Sequence, residues 1–519
     1  MGGEQATADQ TTQRVDARLV VDELMLRAQR NDPHIDADLD AAIDGAQQCP
    51  EVLVPLLHVA LIRALTTDRD VWTAMETLER EARRHRNHAL LASALIHRVE
   101  YEANDDIVAT RFEVLVEARI LLDDTSSVPR DRVAGLIVLA IRLCNLRLYE
   151  NAIDTLEQAV QLAEDLGRPD DRMRPLTMNR ALTSSCMALD AIEAGEIGIA
   201  RRCLGQVERI AADPGVELPP AWTLEIEAYR ILLTALIDGD ELDPDVVEAL
   251  IDRLELDPRR VPMLLRLATP ASSWVDEPDL DTVEPRVETF AHFLYGRALE
   301  RSQGDSPALR AARRHAQLLA AQAWHMRAAA GAALSAQIDA ARLTDENQVL
   351  RAQALTDQLT GTGNRRAFFN RIAERKGRPA TVLSIDLDGF KTINDLHGHA
   401  VGDVVLQRVS AALAEPLGVS LGDTDLVSTT KTAIIARLGG DEFAVAIDGD
   451  DQDHAADVVS QLSEAVNALD WSDLLGTEGQ TVSIGFACGS YGTELLESSD
   501  LAMYVRKAAR TQTGVAENS

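Results

Sequence analysis

Two acidic segments in the last third of the chain hold the residue types from which phosphoryl-transfer chemistry is built. In the first, Asp386-Leu387-Asp388 closes a short apolar run, residues 381–386 (TVLSID), and Phe390, Lys391, Asn394 and Asp395 follow. In the second, Arg437-Leu438-Gly439-Gly440-Asp441-Glu442-Phe443, paired glycines and two carboxylates lie between apolar runs at 433–436 and 443–447. Glycines so placed make a hairpin whose backbone can approach a phosphate closely, because no Cβ stands in the way. Carboxylates brought from two strand ends to one place suit magnesium, a hard cation that takes oxygen ligands and shares them with substrate phosphates. Such ions polarise a phosphate under attack, lower the pKa of an attacking hydroxyl and offset the charge of a leaving pyrophosphate. Asp388 and Asp395 read equally well as caps or turn formers. His397 and His399 read as residues that order the loop carrying Asp403, since magnesium chemistry needs no imidazole. Arg437 reads as a structural partner of the hairpin.

The elements that must position these groups follow from the pattern around them. Beyond residue 359, apolar runs at 381–386, 433–436, 443–447 and 481–487 alternate with segments of helical spacing at 366–375, 404–413 and 454–469. This predicts an α/β sandwich of one sheet with helices. Upstream, from about residue 18 to 343, apolar residues recur at helical spacing almost throughout, which predicts an all-helical region. Val71, Ala74, Leu78, Glu79 and Ala82 are echoed by Tyr149, Ala152, Leu156, Glu157 and Ala159. Weaker echoes follow at Ile197, Ala200 and Leu204, and at residues 115–118. Small residues at such positions let two helices approach while larger ones fill the gap, as in stacked helix pairs. The intervals are irregular, so the region resembles a degenerate tetratricopeptide-like array, with a non-repeating helical bundle as the alternative. Turn-rich breaks at 167–171, 213–220 and 269–278 divide it, the last reading as a domain boundary or a lid over a groove. Residues 328–359 are free of proline, and Leu334, Ile338, Ala341 and then Leu343 and Leu350 follow heptads with a phase shift. They form either a helix that pairs with its copy or a single connector helix.

Six ordered motifs in residues 357–507 resemble the signature of GGDEF-domain diguanylate cyclases. They are Asp357-Gln-Leu-Thr-Gly-Thr-Gly-Asn364-Arg365-Arg366, Asp386-Leu-Asp-Gly-Phe-Lys-Thr-Ile-Asn-Asp395 and Gly398-His399-Ala-Val-Gly402-Asp403, then the hairpin, Val482-Ser483-Ile484-Gly485 and Asp500-Leu-Ala-Met-Tyr-Val-Arg-Lys507. The resemblance implies that Asp386, Asp441 and the backbone carbonyl of Leu387 hold Mg2+ or Mn2+. It implies that Glu442 supports metal binding or deprotonation of a ribose 3′-hydroxyl, and that Asn394 and Asp403 read the guanine edge of GTP. Lys391 and Lys507 would hold the terminal phosphates, and Gly439 and Gly440 would make room for the α-phosphate region. Each domain would present one GTP, so a homodimer is implied. There are departures. The family's RxxD inhibitory site falls here on Thr430 and Ala433, so feedback inhibition through it is predicted absent, and a longer loop at 415–432 occupies that region. Arg510-Thr511-Gln512 stands where Gly-Arg-Asn is usual, leaving Arg510 as a substitute phosphate contact, and Thr362 replaces a leucine.

Composition sets the frame. At 519 residues the chain exceeds one ordinary core, and 46% hydrophobic with 26% charged residues is usual for globular protein. Five scattered cysteines without CxxC pairing predict reduced thiols. No apolar run approaches the roughly 20 residues of a membrane span. Residues 1–17 lack the pattern of a signal peptide, so a cytoplasmic protein is expected. A net charge of −33 argues against nucleic acid and anionic membranes as partners. The expectation is a multidomain chain: an all-α, tetratricopeptide-like region at 1–327 that binds a ligand or protein, a linker helix at 328–359, and an α/β GGDEF (nucleotidyl cyclase-like) domain at 360–515. It would be a regulated diguanylate cyclase making cyclic di-GMP from two GTP. The alternative is an inactive GGDEF domain serving as a GTP-binding module or an interaction scaffold.

Overall fold

The computed structural model describes residues 19–28, 32–67, 69–101, 108–168, 170–213, 215–254, 261–274, 285–303, 306–421, 432–476 and 479–516. The chain divides into two compact units, Met1–Ala341 and Arg342–Ser519.

The first unit is helical throughout its described residues. Each helix packs mainly on its neighbours in sequence. His88–Tyr101, for example, meets Val71–Arg84, Val108–Asp123 and Pro129–Asn145. This nearest-neighbour pattern is how helix pairs stack into a continuous core. The small residues picked out by their spacing lie at these contacts: Ala82, Ala152, Ala159 and Ala200 are fully buried beside the equally buried Leu78 and Leu156. Gly135 makes the same point more sharply, because a Cβ there would lie 2.8 Å from the Ala89 carbonyl oxygen. Start signals are conventional: the Asp70 side chain accepts from the Thr73 amide at 3.1 Å, capping Val71–Arg84. Cys49, Cys144, Cys186, Cys203 and Cys488 are all free, and burial pushes the Cys203 thiol up to about 11, in line with inert thiols. Among the described residues no helix is long and apolar enough to cross a membrane.

The helix expected at 328–359 begins earlier, at Pro307, and ends at Leu355. Leu334 is buried and Ile338 packs beside it in the core of the first unit, whereas Leu343 and Leu350 are exposed. The two halves of the heptad pattern therefore differ in fate.

The second unit holds one five-stranded sheet of β1 (Gly363–Asn364), β2 (Pro379–Leu387), β3 (Ala433–Gly439), β4 (Glu442–Asp448) and β5 (Val482–Ser490), in the order β1-β3-β4-β2-β5. Only β1 with β3 is parallel. Side chains alternate between two cores, one on each face. Leu383, Ile385, Phe443, Val445 and Ile435 enter the larger, beneath helices His399–Ala414 and Gln452–Asn467. Ala380, Val382, Ala444, Ala446 and Ala436 enter the smaller, against Phe368 and Tyr491. Because β2 is covered on both faces it reads in sequence as a nearly continuous apolar run.

Candidate active site

The hairpin between β3 and β4 depends on local backbone chemistry. Gly440 takes φ 54°, the left-handed region that other residues rarely adopt, and the register shifts between Arg437 and Gly439. Both glycines are exposed, leaving their backbone open. Arg437 holds the turn, donating to the Gly440 carbonyl from Nε at 2.9 Å and from a terminal nitrogen at 2.7 Å. Its other terminal nitrogen reaches Asp357 at 3.4 Å. Asp357 in turn accepts from the Thr360 amide at 3.0 Å and hydroxyl at 2.8 Å. The opening motif thus braces the hairpin, the structural role expected of Arg437.

At the end of β2, Asp386 stands opposite Glu442 on β4 and Ser483 on β5. Its carboxylate is ion-paired with Lys507 of helix Thr493–Ala516, 121 residues away in sequence. Burial pushes the Asp386 carboxyl above the usual carboxylate range, and the charges of Asp441 and Asp388 push it further, against the pull of Lys507. Burial opposes the charge on the Lys507 ammonium, but its hydrogen bond to Asp386 and the charges of Asp386, Asp388 and Asp441 hold it above the ordinary lysine value. Asp388 is committed elsewhere: Thr481 and Ser483 hydroxyls donate to its two oxygens at 2.7 and 2.6 Å. Its part is to tie the β2 end to β5. The Leu387 side chain is in the core, so only its backbone is available to a ligand.

Lys507 arrives through a close approach. A Cβ on Gly485 of β5 would lie 2.0 Å from the Met503 nitrogen and 2.4 Å from the Ser499 carbonyl oxygen, so only glycine lets helix Thr493–Ala516 lie there. The buried Ser384 and Ser499 hydroxyls, 2.7 Å apart, pin the same helix to β2.

The remaining site residues lie on two short helices after β2, Phe390–His397 and His399–Ala414, joined at Gly398 with φ 84°. Lys391 and Asp403 are exposed and Asn394 is half-buried. Asn394 packs on Gly402, where a Cβ would lie 2.0 Å from its Oδ1, so the glycine before Asp403 sets the amide's place. The side chains of His397 and His399 are exposed and make no hydrogen bond with any described residue, so the loop-ordering role expected of them has no bond behind it. Part of the 415–432 loop, residues 422–431, lies outside the described residues, as do the side chains of 509–519, including Arg510.

Among the described residues no group of three acidic, histidine or cysteine side chains converges as a metal site. Asp386 and Asp441 nevertheless fit a hard divalent cation: both are oxygen donors, and Asp441 raises the Asp386 pKa, so their charges repel within reach of one another. Spacing pointed to these carboxylates, and Asp357 and Gly485 stand in the quoted motifs, but the Asp357–Arg437 contact, the close approach at Gly485 and the Lys507–Asp386 pair were legible only in three dimensions.

A mixed sheet with helices on both faces and an open glycine hairpin beside paired carboxylates define a nucleotidyl cyclase-like α/β domain. Residues 354–513 match the family described as "Diguanylate cyclase, GGDEF domain". Among relatives, an "Uncharacterized protein in hutH 5'region" of Streptomyces griseus is 36% identical over 175 residues, 32% of this chain and 68% of that protein. "Probable diguanylate cyclase DgcC" of Escherichia coli K12 is 34% identical over 190 residues, 34% of this chain. "Diguanylate cyclase TpbB" of Pseudomonas aeruginosa UCBPP-PA14 is 37% identical over 183 residues, 32% of this chain. The match spans 47% of DgcC and 38% of TpbB, half or less of each. The chain belongs to the GGDEF-domain family.

Proposed function

We propose that the protein is a diguanylate cyclase that joins two GTP molecules into cyclic di-GMP and releases two pyrophosphates. The observation that carries this reading is that Asp386, at the end of β2 and ion-paired with Lys507, lies within electrostatic reach of Asp441 in the open Gly439–Gly440 turn. Asp386, Asp441 and the Leu387 carbonyl would hold Mg2+ or Mn2+, which would supply Lewis-acid polarisation of the phosphate when bound. Asn394 and Asp403 offer an amide and a carboxylate to the guanine edge. Lys391 and Lys507 neutralise the terminal phosphates, and the exposed hairpin backbone admits the α-phosphate. Glu442 accepts the 3′-hydroxyl proton or supports the metal. The 3′-oxygen of one GTP then forms a bond to the α-phosphorus of the other as the bond to the β-phosphate breaks, and the second ester forms in the same way. Two domains must face each other for both attacks, so the working unit is a homodimer.

Residues 1–327 are read as the regulatory half, binding a ligand or protein, in a cytoplasmic protein without nucleic-acid or membrane partners. The charge of −33, which repels nucleic acid and anionic lipid, supports the last two points. A second reading, a GTP-binding module without turnover, draws on the Lys507–Asp386 pair, which engages a metal ligand with a lysine. Incubation of the full chain with GTP and Mg2+, with Asp441→Ala as control, separates the two. Cyclic di-GMP from the wild type, reduced at least roughly a hundredfold in the variant, is expected of the enzyme. Tight GTP binding with no product would establish the module.

A further inference from the structure

A cavity of about 420 Å3 opens among helices of the first unit, lined by Asp170–Ala194, Pro285–Gln303, Pro307–Leu355 and the turn at Arg147. Its volume is in the range of small-molecule sites. Phe293, Leu319, Ala320 and Trp324 contribute an apolar wall.

The charged groups around it are unequally satisfied. Arg327 stacks on Trp324, its guanidinium carbon 3.6 Å from the ring centre, and is ion-paired with Glu150. Arg147 lies 3.5 Å from Asp190 and donates to the Thr289 hydroxyl at 3.1 Å, and the Tyr149 hydroxyl donates to Asp190 at 2.8 Å. Glu193 lines the same space and has neither a hydrogen bond nor a salt bridge among the described residues. Both arginines are thus spoken for, and one carboxylate is left over beside an apolar wall, in a space that His292 also lines. Burial, and then the Asp190 charge, push the Glu193 carboxyl above its usual range, against the weaker pull of Arg147, so its anion is short of a counter-charge.

We propose that this cavity binds a small amphipathic organic cation, its amine paired with Glu193 and its flat apolar body against Phe293, Leu319 and Trp324. The inference deepens the reading of residues 1–327 as a regulatory half and rests on it only for biological meaning. The helix Pro307–Leu355, which supplies Leu319, Ala320 and Trp324, continues past residue 341 into the second unit, so a ligand here touches an element the two units share.

The test is a titration of the full chain with 9-aminoacridine, a flat cation, against acridine-9-carboxylate, its anionic counterpart, followed by calorimetry. The cation is expected to bind once per chain and roughly tenfold or more tighter than the anion. Glu193→Gln, which keeps shape and removes charge, is expected to erase that preference. Ala320→Trp, which fills the cavity from the apolar side, is expected to abolish binding of both, with circular dichroism confirming that each variant is folded. Equal affinity for the two probes, or cation binding that neither substitution changes, overturns the proposal. Because binding is read without turnover, a chain that makes no cyclic di-GMP would refute the cyclase reading and leave this result interpretable.

Discussion

Asn394 shows how much of the site rests on a neighbour that does no chemistry. Its amide occupies the space a methyl group would fill on Gly402. Gly402→Ala should therefore rotate the amide away without unfolding the domain, raising KM for GTP roughly tenfold while kcat changes little, as steady-state kinetics would show. Asp386 illustrates the opposite tension, a residue held where its charge is costly. Its pKa is raised by burial and by Asp441 and Asp388, so between 3.8 and its folded value the native state binds more protons than the unfolded state. Stability from this group is thus present at low pH and lost as pH rises through that window. Asp386→Asn should raise the melting temperature of metal-free protein at pH 7 and flatten that part of its pH profile, while abolishing activity. A lower melting temperature would show that the Lys507 pair outweighs the cost of burial.

At the level of elements, the contact between β5 and helix Thr493–Ala516 decides whether Lys507 reaches the carboxylates. The Ser384–Ser499 pair fixes its orientation, and Gly485 fixes its distance. The clash made by Gly485→Ala is with backbone, which cannot swing aside as a side chain does. We expect a loss of about 3 kcal/mol, seen as a lower midpoint for the second unit in denaturant melts, together with loss of activity. Wild-type stability in this variant would mean that the helix can shift outward freely. The hairpin is built on the same logic, with Arg437 joining Gly440 to Asp357 so that the turn and the opening motif move as one piece.

For the molecule as a whole, the decisive fact is that the two units have separate cores. All buried residues of the sheet clusters lie beyond residue 366, and those of the helical clusters lie before residue 335. Removal of residues 1–327 should leave the sheet unit folded. If those residues are regulatory, the rate of cyclic di-GMP formation or the state of association should change severalfold, measurable by product assay and light scattering. An unchanged rate and mass would end the regulatory reading.

The sequence by itself determined the element types and the candidate site residues. Short apolar runs and glycine placement announced β2, β3 and β4, because a strand buried on both faces and a tight turn each demand particular residue types. Helical spacing announced the first unit, and alanine positions its close contacts. Asp386, Asp441 and Glu442 were legible because they sit within a few residues of those signals. Tertiary structure alone decided the rest. Lys507 pairs with Asp386 across 121 residues, and Asp388 turns out to be anchored by Thr481 and Ser483. The Glu193 cavity draws its walls from helices that begin at Asp170, Pro285 and Pro307. None of these carries a local signature, because spacing along the chain reports which face a residue takes and not what it will meet there.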